Sequence, residues 1–377
     1  MKQIYLDNAA TTRMKKEVIE SMKAYLDYEF ANPNANYPFA KNSLKAVNEA
    51  RNNMADLVGA KADEIYFTSG GSESDNWAIK TIAENYRDKG CHIITSSIEH
   101  HAVLNTMKWL ENNGFEVTYI RPQNNGIIAV EDINKAIRND TILISIMMAN
   151  NEIGTIQSIK DIGALARKNK VLFHTDAVQA VGHIPIDVKK MKIDLLSASG
   201  HKFFGPKGVG FLYVKSGVKI SSFIHGGGQE YGLRAGTYNV PGIVGMGEAA
   251  RLALDNDSSL NTIELRNYMI NRILEEISGT RLNGDNEKRL PNNVNICFEG
   301  IDSESILAML GSSGICASAG SACTSGDPEP SHVLLSIGLN KEQARSSIRL
   351  TLSDDNTFDD IDYTVDELRK IISMLKK

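Results

Sequence analysis

One lysine stands between an apolar segment and a glycine-rich turn, a position suited to covalent chemistry. Lys202 follows residues 193–196, which predict a buried strand, and Ser199 and His201 lie close beside it. These small and polar neighbours can donate hydrogen bonds to an anion. The segment could therefore hold an amine ready to form a Schiff base, with a phosphate anchored alongside. A solvated lysine in an ordinary surface turn explains the same residues.

A carboxylate upstream of Lys202 favours the interpretation as a Schiff-base lysine. Asp176 follows the short apolar run 171–173, so it is predicted at the carboxyl end of a strand, where open α/β sheets bind ligands. Pyridoxal phosphate needs a lysine for its aldehyde and a carboxylate that keeps the pyridine nitrogen protonated. Lys202 and Asp176 can fill these two roles. Gln179, in the same loop, could bond the phenolic oxygen of the cofactor.

A second strand-to-helix junction predicts an anion site. Residues 64–68 predict a strand that runs into a glycine turn and a helix from about residue 73. Backbone N–H groups at such a helix start, together with the helix dipole, attract phosphate. We assign Gly71 and Ser72 to this phosphate cup. An ordinary loop with a serine N-cap is the alternative.

Two further segments carry candidate reactive groups. Residues 316–327 are almost all small, so Cys323 would be accessible and is the candidate nucleophile, whereas Cys316 beside Ile315 reads as a buried, inert thiol. An inert Cys323 is the alternative. Arg349 lies on a predicted apolar strand, where its planar fork suits the α-carboxylate of an amino acid. Arg345 is the fallback for that role.

The chain resembles the class V aminotransferase group of pyridoxal-phosphate enzymes, and within it the cysteine desulfurases of the NifS/IscS type. The resemblance extends from residues 5–12 to the helix that closes the chain, and it rests most strongly on the Lys202 segment and the Cys323 loop. It implies a fold-type I transferase that converts L-cysteine to L-alanine and leaves a persulfide on Cys323. An iron–sulfur scaffold protein or a tRNA-thiolation enzyme would accept that sulfur.

The resemblance also implies roles for individual residues. His100 would stack on the pyridoxal ring and take part in proton transfer, Asn151 would face cofactor and substrate, and Arg349 would bind the substrate carboxylate. In a homodimer, Thr237 of the glycine-rich loop 225–237 would contact the phosphate in the other subunit's site. Tyr37 departs from the family, which usually has a serine-rich loop with a histidine there.

The same residues are compatible with two alternative functions. A selenocysteine lyase, or another class V aminotransferase, would need Lys202 and Asp176 but would depend less on Cys323. A phosphate-binding α/β protein without a covalent cofactor would use only the Gly71 turn. We expect no metal site, because the adjacent His100 and His101 diverge on a helix and no third ligand lies close by.

Length and composition predict the setting of this site. The 377 residues suggest a large cofactor domain at 14–257, with a mostly parallel sheet flanked by helices, and a smaller α/β domain built from 1–13 and 258–377. A net charge of −5 gives no reason to expect nucleic acid or an acidic membrane as partner. The four scattered cysteines and the lack of a signal segment or membrane span predict a cytoplasmic protein.

Overall fold

The structure is a computed structural model that describes residues 3–255, 259–319 and 330–376. Its strands are β1 (Ile4–Tyr5), β2 (Ile65–Thr68), β3 (His92–Ser96), β4 (Glu116–Ile120), β5 (Thr141–Ser145), β6 (Leu172–Asp176), β7 (Leu195–Ser199), β8 (Gly210–Val214), β9 (Thr280–Leu282), β10 (Asn293–Phe298), β11 (Ile315–Cys316) and β12 (Ser347–Thr351). Its helices are α1 (Lys16–Leu26), α2 (Lys41–Val58), α3 (Gly71–Asn85), α4 (His101–Glu111), α5 (Val130–Ala136), α6 (Ile159–Lys168), α7 (Val240–Asp255), α8 (Ser259–Glu276), α9 (Ser303–Ser312), α10 (His332–Ser336), α11 (Lys341–Arg345) and α12 (Phe358–Leu375).

A seven-stranded sheet forms the centre of the fold, in the order β2-β8-β7-β6-β5-β3-β4. All neighbouring strands are parallel except β8, which pairs antiparallel with both β2 and β7. Helices α4, α5 and α6 connect β3 to β4, β4 to β5 and β5 to β6, whereas turns occupy residues 177–194 between β6 and β7. The prediction of a mostly parallel sheet flanked by helices is thus confirmed.

Both faces of this sheet are buried, because successive apolar residues point to opposite sides. Leu195 and Leu212 pack with α3 and α4, whereas their neighbours Leu196 and Phe211 pack with α2, α6 and α7 on the other face. The sheet is therefore a rigid platform, and the loops at its strand ends carry the polar residues.

A second core draws on both ends of the chain. The antiparallel sheet β12-β10-β9 and the parallel pair β1–β11 bury Ile4 and Leu6 against α8, α9 and α12. Residues 333–344, in contrast, contribute side chains to the core of the large sheet. The division into 14–257 and 1–13 with 258–377 remains a prediction.

One strand is shorter than its sequence suggests. The apolar run from Thr141 predicts a strand to Ala149, but β5 ends at Ser145. Beyond that point Ile146 and Met148 still donate to the backbone of β6, but the Met147 N–H donates to the carboxyl group of Glu99. Among the described residues, no helix is long and apolar enough to cross a membrane.

Candidate active site

Lys202 is held in place through both its side-chain amine and its backbone carbonyl. It closes a short helical turn, Gly200–Lys202, that directly follows β7. Its Nζ donates to the carbonyls of Ala9 and Ala10 at 2.7 and 2.8 Å, and its own carbonyl lies 2.8 Å from His183 Nε2. The amine is thus directed inward toward the amino-terminal segment, and the reading of a solvated surface lysine does not describe it.

Asp176 ends the neighbouring strand β6 and is 6% exposed. Strands β6 and β7 pair in parallel, with Asp176 opposite Ser197, so the carboxylate and the Lys202 turn emerge at the same edge of the sheet. Burial raises the pKa of Asp176 to about 6, while the N–H of Val178, 2.9 Å away, and the Lys202 ammonium oppose that rise. The lysine and the carboxylate therefore share one electrostatic environment.

Gln179 and His201 lie around the same lysine. Gln179 Nε2 donates to the Ala9 carbonyl at 2.9 Å, the oxygen that also accepts from Lys202. The His201 ring lies 3.1 Å from Thr11 Oγ1. Burial, and next the charge of Lys202, lower the pKa of His201 to about 4, so the ring is neutral at neutral pH. Residues 9–12 therefore cross directly over the candidate site.

The predicted phosphate cup is built from the turn between β2 and α3. Helix α3 begins at Gly71, and Gly70 before it has φ +151°, which favours glycine. A Cβ on Gly71 would stand 2.6 Å from Val178 Cγ2, so only glycine lets this turn approach the residues that follow Asp176. Ser199, buried at the end of β7, lies 3.6 Å from a Cβ placed on Gly70.

This arrangement fits pyridoxal phosphate. A helix start with close-packed glycines, an inward-directed lysine and a buried carboxylate are the three features that the cofactor requires. Ser72 is exposed and lines a cavity together with His100 and Asn76. The cavity adjoins the helix start, so the candidate site is open to solvent on this side.

His100 is the N-cap of α4. Its Nδ1 accepts from the Ala102 N–H at 3.1 Å, which places the ring proton of the neutral tautomer on Nε2. Burial lowers the pKa of His100 to about 4, and the Lys202 charge acts in the same direction. His101 is exposed, and its ring lies 4.9 Å from that of His332. Within the described parts of the chain, no three histidine, cysteine or acidic side chains converge as metal ligands would.

Arg349 lies in the middle of β12 and is 3% exposed. Its Nη2 donates to Asp7 Oδ1 at 2.8 Å and its Nη1 to the carbonyl of Asn151 at 3.1 Å, while its buried Nε has no hydrogen-bond partner among the described residues. Asn151 therefore contacts this arginine through its backbone. Arg345, the fallback for the carboxylate site, ends α11.

The glycine-rich loop that carries Thr237 is fixed by two ion pairs. Arg234 binds Glu73 in the first turn of α3 through two hydrogen bonds of 2.8 and 3.0 Å. Glu230 forms a buried pair with Arg51, at 2.6 and 2.8 Å, and also accepts from the Phe67 N–H. Thr237 itself is exposed.

Cys323 lies outside the described residues. The segments on either side of it contact the Arg349 region. Ser318 exchanges two backbone hydrogen bonds with Arg349, and Ser331 Oγ donates to the carboxylate of Glu152, the residue after Asn151. Cys316 is half-buried rather than fully buried, because the edge of β11 leaves its sulfur in contact with the exposed Gln3.

Sequence reasoning gave no role to several polar residues of the site. Asp7 pairs with Arg349, and Asp75 is fully buried near Asp176, with His174 Nε2 3.7 Å from its Oδ1. Burial raises the pKa of Asp75 well above its ordinary value, and the neighbouring Asp176 adds to the effect. Asp75 could have been identified from the sequence as an acidic residue on the apolar face of a predicted helix.

Comparisons with known proteins agree with this geometry. The family model described as "Aminotransferase class-V" matches residues 4–364. The chain therefore belongs to the class-V aminotransferase family, whose members are pyridoxal-phosphate enzymes. It is 54% identical to "Cysteine desulfurase IscS" of Methanosarcina thermophila, over 100% of this chain and 93% of the relative. Over 99% of this chain and 93% of the relative, it is 48% identical to the protein of that name from Salmonella paratyphi B. Within the family, the chain is a cysteine desulfurase of the NifS/IscS type.

Solved structures show the same fold. A "NIFS-LIKE PROTEIN" superposes with a TM-score of 0.93 at 38% identity, covering 99% of this chain and 100% of the other. A structure described as "SspA in complex with cysteine" has a TM-score of 0.84 at 42% identity, covering 93% and 99%. The fold-type I prediction is confirmed.

Proposed function

We propose that this chain converts L-cysteine to L-alanine and transfers the sulfur to Cys323 as a persulfide, with the site residues named above in defined roles. The observation that carries the proposal is the common position of Lys202 and Asp176 at the ends of adjacent strands, beside a glycine-built helix start. When bound, pyridoxal phosphate supplies an electron sink for the carbanion formed at the substrate Cα. The similar structure named with bound cysteine supports L-cysteine as the substrate.

Lys202 acts as the base in this scheme. Its Nζ removes the proton from the substrate Cα and returns a proton later, which requires an amine held close to the reacting atom. The carbonyls of Ala9 and Ala10 fix the direction of that amine. Asp176 would hold the proton of the pyridine nitrogen, because a buried carboxylate is a strong acceptor for such a donor. Gln179 would orient the phenolic oxygen from the same side.

The phosphate and the ring would be held by residues on three elements. Gly71, Ser72, Ser199 and His201 surround the start of α3 and the end of β7 and would bind the phosphate through N–H and side-chain donors. His100 would stack on the ring. Because its Nε2 carries the proton, the imidazole would act as a neutral hydrogen-bond donor toward the substrate.

Arg349 would bind the α-carboxylate of the substrate. Its planar guanidinium is buried, and the Asn151 carbonyl keeps it oriented from one side. The backbone pairing of Arg349 with Ser318 places the start of the Cys323-bearing segment beside this arginine. We assign attack on the substrate sulfur to the Cys323 thiolate for this reason. The S–S bond would form as the substrate Cβ–S bond breaks, and Cβ would keep the electron pair and take up a proton to give L-alanine.

A homodimer completes the proposed site, with Thr237 reaching the phosphate of the other subunit. Two features support it. Thr237 is exposed on a loop fixed by ion pairs, and several large apolar side chains near α1 and α2 are unusually exposed for a monomer. These are Leu26, Tyr28, Phe30, Tyr37 and Phe39. Sulfur would then pass to an iron–sulfur scaffold protein or a tRNA-thiolation enzyme.

The test compares wild type with Lys202→Ala and Cys323→Ala, each given L-cysteine and a reductant, and measures visible absorbance, alanine and sulfide. Cys316→Ala is the matched control, since it removes a half-buried thiol nearby. We expect a yellow wild type that forms both products, a Lys202→Ala protein without the lysine-linked absorbance or turnover, and a yellow Cys323→Ala protein with almost no sulfide. Alanine release that survives Cys323→Ala would instead favour the selenocysteine lyase or aminotransferase alternative. A colourless wild type would contradict the covalent cofactor.

A further inference from the structure

The guanidinium that we assign to the substrate already has a carboxylate bound to it. Arg349 Nη2 donates to Asp7 Oδ1 at 2.8 Å, although the two residues are 342 positions apart. The other terminal nitrogen of Arg349, Nη1, donates to the carbonyl of Asn151 at 3.1 Å. Among the ion pairs of the described residues, Asp7 is the acidic partner of Arg349.

Exposure shows which side of the arginine a ligand can reach. The Arg349 side chain is 3% exposed, and its buried Nε meets no acceptor in the described parts of the chain. The Asp7 side chain is 19% exposed. Asp7 is therefore the more exposed member of the pair, and a carboxylate that binds Nη2 must displace the Asp7 carboxylate.

The backbone around Asp7 is firmly anchored. Tyr5 Oη donates to the carbonyl of Asp7 at 3.1 Å, and the Asn8 side chain donates to the carbonyl of Thr351 at 2.8 Å. The Ala9 N–H donates to Thr351 Oγ1 at 2.9 Å. Because the main chain on both sides is fixed, the Asp7 side chain can rotate away from Arg349 without moving the segment that holds Lys202.

We infer that Asp7 is a positioning residue that lowers ligand affinity by competing with the substrate carboxylate for Arg349; this inference rests on the proposed function of Arg349. Substrate and product carry the same α-carboxylate, so the competition weakens the binding of both. A uniform loss of binding raises KM without slowing the chemical step, and it favours release of L-alanine. Asp7 therefore acts through Arg349 and promotes the exchange of L-alanine for a new substrate molecule.

The competition predicts opposite behaviour for two substrate fragments. 3-Mercaptopropionate has the thiol and the carboxylate of cysteine but no amine, whereas cysteamine has the thiol and the amine but no carboxylate. Asp7→Asn removes the competing charge while retaining an acceptor for Arg349. The inhibition constant of 3-mercaptopropionate should fall by about tenfold, since a partly buried like charge is lost. The constant for cysteamine should stay the same.

Steady-state kinetics of alanine formation measure this effect on the holoenzyme. With Asp7→Asn, KM for L-cysteine and the inhibition constant of L-alanine should fall together, and kcat should not rise. Asp7→Ser is a second variant with the same expected direction, in case the asparagine protein does not fold. Asp354→Asn is the matched control, because it breaks an ion pair with Lys15 close to the same segment without touching Arg349.

The outcomes separate this inference from the proposal on which it rests. A higher KM in Asp7→Asn, or equal changes for both fragments, would mean that Asp7 only supports the arginine, and the inference would be wrong. The proposed role of Arg349 is tested separately with Arg349→Gln. If that variant discriminates between 3-mercaptopropionate and cysteamine as wild type does, Arg349 is not the carboxylate site and the proposed function fails at that residue.

Discussion

The buried ion pair between Arg51 and Glu230 allows a quantitative test of what holds the Thr237 loop. The Arg51 and Glu230 side chains are 6% and 2% exposed, and the carboxylate also accepts from the Phe67 N–H. Glu230→Gln preserves the shape but leaves the guanidinium buried without a counter-charge. Removing one partner of such a pair costs about 3–5 kcal/mol of unfolding free energy.

The matched control is Glu248→Gln on α7. Glu248 pairs with Arg251, but these side chains are 20% and 47% exposed, so its removal should cost about 0–1 kcal/mol. The two variants make the same chemical change and differ in burial. The difference between their unfolding free energies therefore isolates the effect of the buried charge.

Tryptophan fluorescence during urea denaturation is a suitable assay. Trp77 is fully buried and packs edge-on against Tyr66 at 5.7 Å, and Tyr66 packs in the same way against Tyr231 at 6.0 Å. Its emission therefore reports on the structure around Glu230. If Glu230→Gln shifts the transition no more than Glu248→Gln does, the pair contributes little and our account of the loop is wrong.

Two further predictions concern titration. Burial raises the pKa of Glu99 to about 8, so its carboxyl group ionises at a higher pH in the native state than in the unfolded chain. The contribution of the neutral carboxyl group to stability is fully present below about pH 4.5 and is lost as the pH rises toward 8. Glu99→Gln should therefore become more stable relative to wild type between pH 5 and 8, by up to about 1.4 kcal/mol per pH unit in urea titrations; a constant difference would contradict a neutral Glu99. Burial lowers the pKa of His100 to about 4, so its proton uptake should not limit kcat/KM near pH 6.5. A wild-type inflection there that disappears in His100→Gln would show that the ring is charged in the free enzyme.

Much of the large sheet followed from the sequence. Apolar runs that alternate with helical periodicity between residues 65 and 214 predict parallel strands, and Asp176 and Lys202 were predicted at strand ends that the structure brings to one edge. The antiparallel direction of β8 follows from the connection at residues 200–209, which is too short for a helical crossover.

Other features depend on contacts that no local pattern contains. The pairing of Asp7 with Arg349 joins the two ends of the chain, and the burial of Asp75 depends on how α3 packs on the sheet. Apolar periodicity shows which face of an element is buried. It does not show which polar group will meet another across the core.

The pairing of Asp7 with Arg349 also has a consequence for the order of events on the ribosome. Asp7 is synthesised 342 residues before its partner, a delay of about 17–70 s at roughly 5–20 residues per second. During that time the large sheet, which ends at Val214, is already complete in sequence. The residues around Lys202 and Asp176 are therefore synthesised well before Arg349, the residue that we propose binds the substrate carboxylate.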